Sequence, residues 1–428
     1  MLDQTLDLSA LRSQFPALQQ ADENSHRQYV YFDGPGGTQV PQTVIDAMAG
    51  YFKIANANCG GPFITSHRND EMINQARIAM ADLLNAYSER EIVFGANMTT
   101  LTFSFSRALG RSLLPGDEII VTRLDHDANI APWLALEEKG VVIKWVDFNI
   151  EDCRLDLEHL SSLLTDKTRL VAVGYASNAV GTINPIKKIA SMAHEVGARV
   201  WVDAVHYAPH RPIDVQSIDC DFLVCSAYKF FGPHIGVVWG KQNLLEQLTA
   251  YKVRPSSPEP PHKFETGTLN HEGLAGVVAA VEYLAQIGHN YGAGLTTEFS
   301  HYTGRRQELK QAMGTIAAYE LPLFCYMLAE LKKISGIKVY GIQNENEFDE
   351  RCPTLAFTRE GRSPAAVASK LGQKGIFVWH GNYYALAVTE KLGVEDTGGM
   401  VRAGLAHYNT KEEVDRFLSV LKNEVCSK

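Results

Sequence analysis

From Tyr29 to about Leu284 the chain alternates short apolar runs with stretches in which apolar residues recur every third or fourth position. EIVFGAN, DEIIVTRLDH, VVIKWVDF, TRLVAVGYAS, ARVWVDAVH and CDFLVCSAYK read as strands that run out into small or polar residues. Between them, PQTVIDAMAGYF, MINQARIAMADLLNA, TTLTFSFSRALGRSLL and IKKIASMAHEVG carry helical spacing. This alternation predicts an α/β fold, a mostly parallel sheet covered by helices on both faces. After Gly288 the texture changes to a long helical stretch, then short strands in IKVYGI, TLAFT and GIFVW and a closing helix in EEVDRFLSVLKNEV. The expected organisation is an N-terminal segment over 1–28 packing with the small domain, a large domain over 29–288 and a smaller α/β domain over 289–428. The N-terminal segment carries a short amphipathic helix with Leu8, Leu11 and Phe15 on one face, and KVRPSSPEPPHKF reads as an ordered Pro-rich loop.

Composition narrows the classes of function. With 428 residues, 45% of them hydrophobic, the chain can bury a large core and a smaller one. A net charge of -9 leaves no basic footprint for nucleic acid or an anionic membrane. The seven cysteines are scattered and form no CxxC pair, so neither a disulfide framework nor a zinc site is indicated, and a reducing cytoplasm is expected. The N-terminus is acidic where a signal peptide is basic, and no apolar run approaches membrane-spanning length. A cytoplasmic protein acting on small molecules fits these bounds.

In parallel sheets the ligand lies beyond the carboxyl ends of the strands. The residues there are Asn97 to Thr100, Asp125 to Asn129, Ser177 with Asn178, Asp203 to His206, and Ser226 to Lys229. Lys229 stands between an apolar strand and an aromatic turn, where desolvation favours the neutral, nucleophilic amine; a lysine merely snorkelling from a strand end is the ordinary alternative. Asp203 closes a strongly apolar strand, where an unpaired carboxylate costs several kcal/mol, roughly, and demands a cationic partner. A lysine and an aspartate on successive strand ends suit pyridoxal phosphate: the amine makes the Schiff base and the carboxylate pairs with the pyridine nitrogen. His126 is placed to stack on such a ring, Asn178 to hydrogen-bond its phenolic oxygen, and Met98 with Thr99 opens a helix whose amides suit a phosphate. Ser226 and His206 add phosphate contacts. The zinc-like look of Asp203, His206 and His210 is countered by Pro209, which breaks the helix that would align the histidines, and no metal is expected. DGPGGT, from Asp33 to Thr38, lacks the lysine of a P-loop and the spacing of a dinucleotide fingerprint.

Together these segments resemble the class V aminotransferase family of fold-type I pyridoxal-phosphate enzymes, most of all the SUF-type cysteine desulfurases, from about YVYFDGPGG to EEVDRFL. DHDANIAPW resembles the family's EHHANIVPW, YASNAVGTINP its SNVLGT-NP segment, VDAVH its VDGAQ, CSAYKFFGP its SGHK-YGP, FETGTLN its FEAGTPN, and VRAGLAHYNTKEEVDRF its CRASLAMYNTHEEVDRL. The resemblance implies that Lys229 carries the cofactor and later moves the substrate's α-proton, while Asp203 pairs with the ring nitrogen, His126 stacks and Asn178 hydrogen-bonds the ring. Thr99, Ser226 and His206 would bind the phosphate, and Thr268 would reach the phosphate of the other subunit in a homodimer whose site lies at the interface. Arg402 would clamp the amino-acid substrate's α-carboxylate, which suits its bidentate geometry.

Two departures change the chemistry expected. Tyr228 replaces the histidine before the Schiff-base lysine, and VWHGNYYA stands where the desulfurases carry VRTGHHCA. Aligned on the shared glycine, Tyr384 takes the place of the sulfur-accepting cysteine and Trp379 that of the preceding arginine. With Asn382 these residues are the expected substrate-side wall. A phenol stores no persulfide, and Cys59 is the remaining thiol near the pocket-lining segments. The expected activity is therefore C–S β-elimination of the cysteine or cystine lyase type. Transamination or epimerisation of another amino acid is one alternative, and a non-catalytic cofactor-binding accessory protein another; a sulfur-acceptor protein partner has no support in the residues.

Overall fold

The computed structural model describes residues 6–23 and 26–425, so Met1 to Thr5 of the N-terminal segment and Cys426 lie outside the described residues. The central sheet has seven strands in the order Ile92–Gly95, Gly236–Gly240, Phe222–Ser226, Arg199–Asp203, Thr168–Gly174, Glu118–Thr122 and Val142–Val146. The last five pair in parallel, and their apolar runs form the middle of the core. Gly236–Gly240, whose flanking glycines read as turn, is a strand the sequence pattern leaves out; it runs antiparallel to both its neighbours. Two reversals in succession turn Ile92–Gly95 back into line with the parallel set. Gly95, Thr122, Gly174, Asp203 and Ser226 therefore end along one edge of the sheet.

The second sheet has four antiparallel strands in the order Trp379–Gly381, Met400–Gly404, Thr354–Arg359 and Ile337–Tyr340. The expected single strand GIFVW is divided. Ile376–Phe377 pairs in parallel with Val30–Tyr31, whereas Trp379–Gly381 turns away to pair with Met400–Gly404. Leu11 and Phe15 of the N-terminal helix are buried, with Phe15 edge-on to Phe231, Tyr283 and Tyr408.

The helix Gly304–Leu331 corrects one expectation. One 18-residue window of it reaches a mean hydropathy of 1.3, long and apolar enough to cross a membrane by length and composition. More than half of that window, 56%, is buried inside the protein, and the helix also buries Lys310 and Glu320, so its apolarity belongs to the core. It packs on His271–Tyr291 at Gly288, where an added Cβ would lie 1.8 Å from the Glu308 carbonyl oxygen. Because that neighbour is backbone, it has little room to give. Gly288→Ala is expected to lower unfolding stability by about 1–3 kcal/mol, read as a lower denaturant midpoint at unchanged slope.

Candidate functional site

The turn Ala227–Lys229 directly after the strand Phe222–Ser226 carries the lysine into the interior, where its ammonium donates to the Pro35 carbonyl. Burial pushes the Lys229 pKa down to about 7; the nearby Arg402 adds to the shift and Asp203 opposes it. Asp203 ends the adjacent strand. Burial raises its carboxyl to about 7, although Oδ1 accepts a hydrogen bond from the Val205 amide at 2.9 Å. Around these two groups lie buried polar atoms without partners: Ser226 Oγ, His206 Nδ1 and Asn178 Oδ1. An unsatisfied atom of this kind costs free energy unless a ligand completes it. Met98, Thr99, Asn178, Asp203, His206 and Lys229 line one small cavity, and Asn97 caps the helix Met98–Leu109 there by accepting from the Thr100 amide at 2.8 Å.

His126 Nδ1 accepts from the Ala128 amide at 3.0 Å, which leaves its proton on Nε2. Burial holds the ring neutral, with its pKa lowered to about 4, and Lys229 and Arg402 push in the same direction. Asp125, the residue before it, is a structural anchor: it accepts from Thr122, Asn129 and the Gly174 amide at 2.7–2.9 Å. His206 Nε2 meets Thr354 Oγ1 at 2.8 Å, so its unpartnered Nδ1 is fixed in direction.

Arg402 enters from the second sheet and is 4% exposed. It donates through Nη1 to the Asn178 carbonyl at 2.7 Å and lies 4.3 Å above the Tyr383 ring centroid, while its Nε is unpartnered. Burial lowers its pKa to about 10. Trp379 sits opposite Arg402 in register and opens a cavity of about 1020 Å³ that also reaches Lys229, His126 and Tyr384. Tyr384 is largely exposed, and its ring stacks on His126 at 5.5 Å and 23°. Asn382 lines the same cavity, but its amide is committed to the loop: Oδ1 accepts from the Tyr384 amide at 3.1 Å and Nδ2 donates to Glu395 at 3.1 Å.

One candidate lies elsewhere. Thr268 lines a different cavity together with Cys59, and it meets neither Lys229 nor Arg402 within the chain. The Cys59 thiol contacts Asn69 at 3.4 Å and His271 at 3.9 Å. Two features of the site escaped the sequence reading, the Pro35 carbonyl and the half-buried Asp33, whose buried Oδ1 has no partner. Both belong to DGPGGT, and an aspartate and a proline among glycines directly after an apolar strand were the available signal.

Residues 30–306 and 308–417 match the family described as Aminotransferase class-V. A probable cysteine desulfurase from Synechocystis is 34% identical, over 97% of this chain and 94% of its own length. "Aminotransferase-like protein FGM3" from Gibberella zeae is also 34% identical, over 99% of each chain. Among solved structures, the apo cysteine desulfurase from Thermococcus onnurineus superposes with a TM-score of 0.86 at 26% identity, covering 100% of this chain and 99% of the other. The cysteine desulfurase CsdA from Escherichia coli gives a TM-score of 0.81 at 28% identity, over 97% of this chain and 98% of its own.

Because Lys229 holds its proton weakly, reductive methylation of the ligand-free protein by formaldehyde should label it with a rate that rises through about pH 7, well below the range of an ordinary lysine. Peptide mass analysis across pH checks this; a profile parallel to that of the surface lysines would contradict it.

Proposed function

This chain belongs to the class V aminotransferase family of pyridoxal-phosphate enzymes and is similar to its cysteine desulfurases, and on that premise we propose that it cleaves the Cβ–S bond of an amino acid without a persulfide. One observation carries the reading. Lys229 and Arg402 open onto a single cavity, and no cysteine is among its described lining residues.

The residues present fit the cofactor. Asp203 would face its ring nitrogen, His126 one face of the ring and Asn178 its polar edge, while Thr99, Ser226 and His206 would hold the phosphate; the unpartnered Ser226, His206 and Asn178 atoms support that assignment. When bound, pyridoxal phosphate supplies an electron sink for charge developing at the substrate's α-carbon. Arg402 orients the amino acid by its α-carboxylate. Lys229, with a pKa near neutrality, accepts the α-proton. The Cβ–S bond then breaks with its electron pair on sulfur, which takes up a proton, and the three-carbon remainder hydrolyses to pyruvate and ammonia. No oxidant or reductant is required. Of the two tyrosines, Tyr384 is the one proposed to supply the leaving group's proton, because the Tyr383 hydroxyl is committed to the Met400 carbonyl. The working form proposed is a cytoplasmic homodimer in which Thr268 serves the partner's phosphate.

A second reading is transamination, favoured by the likeness to an aminotransferase-like protein over nearly the whole chain. Product analysis of the purified holoprotein on cysteine, cystine and other amino acids separates the readings. Pyruvate with sulfide, abolished in Lys229→Ala, is the expected result, and Arg402→Ala should raise KM by roughly a hundredfold. Alanine in place of pyruvate would restore a desulfurase and make Cys59→Ser the next variant. Conversion of the cofactor to its amine form would establish a transaminase.

A further inference from the structure

The cavity that holds Lys229 and Arg402 changes sign from floor to mouth. Its floor carries the Lys229 amine and the Arg402 guanidinium, 8% and 4% exposed. The mouth carries two carboxylates, Asp127 and Glu395, beside the 50%-exposed Trp379 and the 74%-exposed Tyr384. Glu395 is occupied by Asn382 and Thr389. Asp127 is different. Its amide donates to the Tyr384 carbonyl at 2.6 Å, which fixes the residue against the aromatic loop. Its carboxylate makes no ion pair or hydrogen bond with any described residue, and partial burial raises its pKa with no neighbouring cation to offset the shift. A half-buried carboxylate that shares a cavity with two exposed aromatic side chains offers a cation both charge pairing and contact with a ring.

We propose that Asp127, with Trp379 and Tyr384, selects amino acids whose side chain ends in an ammonium or guanidinium group, reaching outward from an α-carboxylate held at Arg402. The polarity of the cavity matches such a molecule end to end: anion over the buried Arg402, cation at the acidic, aromatic rim. This inference rests on the lyase reading and deepens it, for the cation would travel with the sulfur and the leaving group would be an aminoalkyl thiol.

The test compares two isosteres on the purified holoprotein, S-(2-aminoethyl)-L-cysteine and S-propyl-L-cysteine, which differ only in a terminal ammonium against a methyl group. Wild-type kcat/KM for pyruvate release should favour the cationic compound by at least roughly tenfold, and Asp127→Asn should bring that ratio towards one. A readout independent of turnover is calorimetric titration with L-lysine and 2-aminoheptanoic acid, which should show the same order in wild type and lose it in Asp127→Asn. Asp127→Lys should reverse the order in both measurements. A wild-type ratio near one, or a ratio that survives Asp127→Asn, overturns the proposal while leaving the lyase intact, because S-propyl-L-cysteine is still cleaved. If neither compound is cleaved or bound, the lyase reading fails and the specificity falls with it.

Discussion

Two basic groups, Lys229 and Arg402, are buried in one cavity; burial lowers the proton affinity of both, and Arg402 lowers that of Lys229 further. Removing a charge from water costs far more than a surface ion pair returns, so the fold must neutralise one cation and satisfy the other. Lys229 is brought near neutrality, with the Pro35 carbonyl as its acceptor. Arg402 is kept charged by the Asn178 carbonyl, the Tyr383 ring face and the field of Asp33. Asp203 meets the complementary problem: its buried carboxyl is raised to about 7, and its interaction with Lys229 couples their protonation. A cationic ring nitrogen beside Asp203 would relieve that carboxylate and free Lys229 for proton transfer. The same desolvation that makes this constellation costly brings the Lys229 amine near neutrality.

Holding that constellation requires the two sheets to interlock. The central sheet supplies Asp203, Ser226 and Lys229 from one edge, and the smaller sheet supplies Arg402 and Trp379 from facing positions. Asp33 to Thr38 is threaded between them. A Cβ on Gly36 would lie 2.2 Å from Trp379 Nε1, one on Gly37 would lie 3.2 Å from the Tyr228 ring, and Pro35 crowds Gly404. Gly36 and Gly37 are thus a packing requirement. They let the backbone pass close enough to Tyr228 and Trp379 for the Pro35 carbonyl to reach the lysine.

Much of this was legible in the chain because buried parallel strands are written as apolar runs, and the residue that ends each run is visible at once. Asp203, Ser226, Lys229 and Asn178 were found in that way, and Asp203, Lys229 and Asn178 line one cavity. Signals failed where position depends on pairing between distant segments. GVVWG looks like a turn-flanked fragment until Ser226 pairs with Gly236, and GIFVW looks like one strand until Val30 claims Ile376 and Arg402 claims Trp379. Asp127 passed as part of DHDAN because whether a carboxylate lacks a cation depends on the surrounding fold. The amide of Asn382, read as substrate-facing, is spent on Glu395 and Tyr384, a competition set by loop geometry alone.

The aromatic loop also bears a conformational cost that ties it to the cavity. Tyr383 and Tyr384 both take left-handed backbone conformations, φ 56° and 59°, which disfavour side chains of their size by about 1–3 kcal/mol each. Hydrogen bonds to three partners outside the loop hold them there: Asn178 Nδ2 to the Tyr383 carbonyl, the Asp127 amide to the Tyr384 carbonyl, and the Tyr383 hydroxyl to the Met400 carbonyl. Two of these partners, Asn178 and Asp127, belong to the cavity itself. A group that drew Asn178 away from Tyr383 would release strain in the loop, and a loop that relaxed would lose the stacking of Tyr384 on His126. Occupation of the floor and the shape of the mouth are therefore coupled through the backbone of two tyrosines.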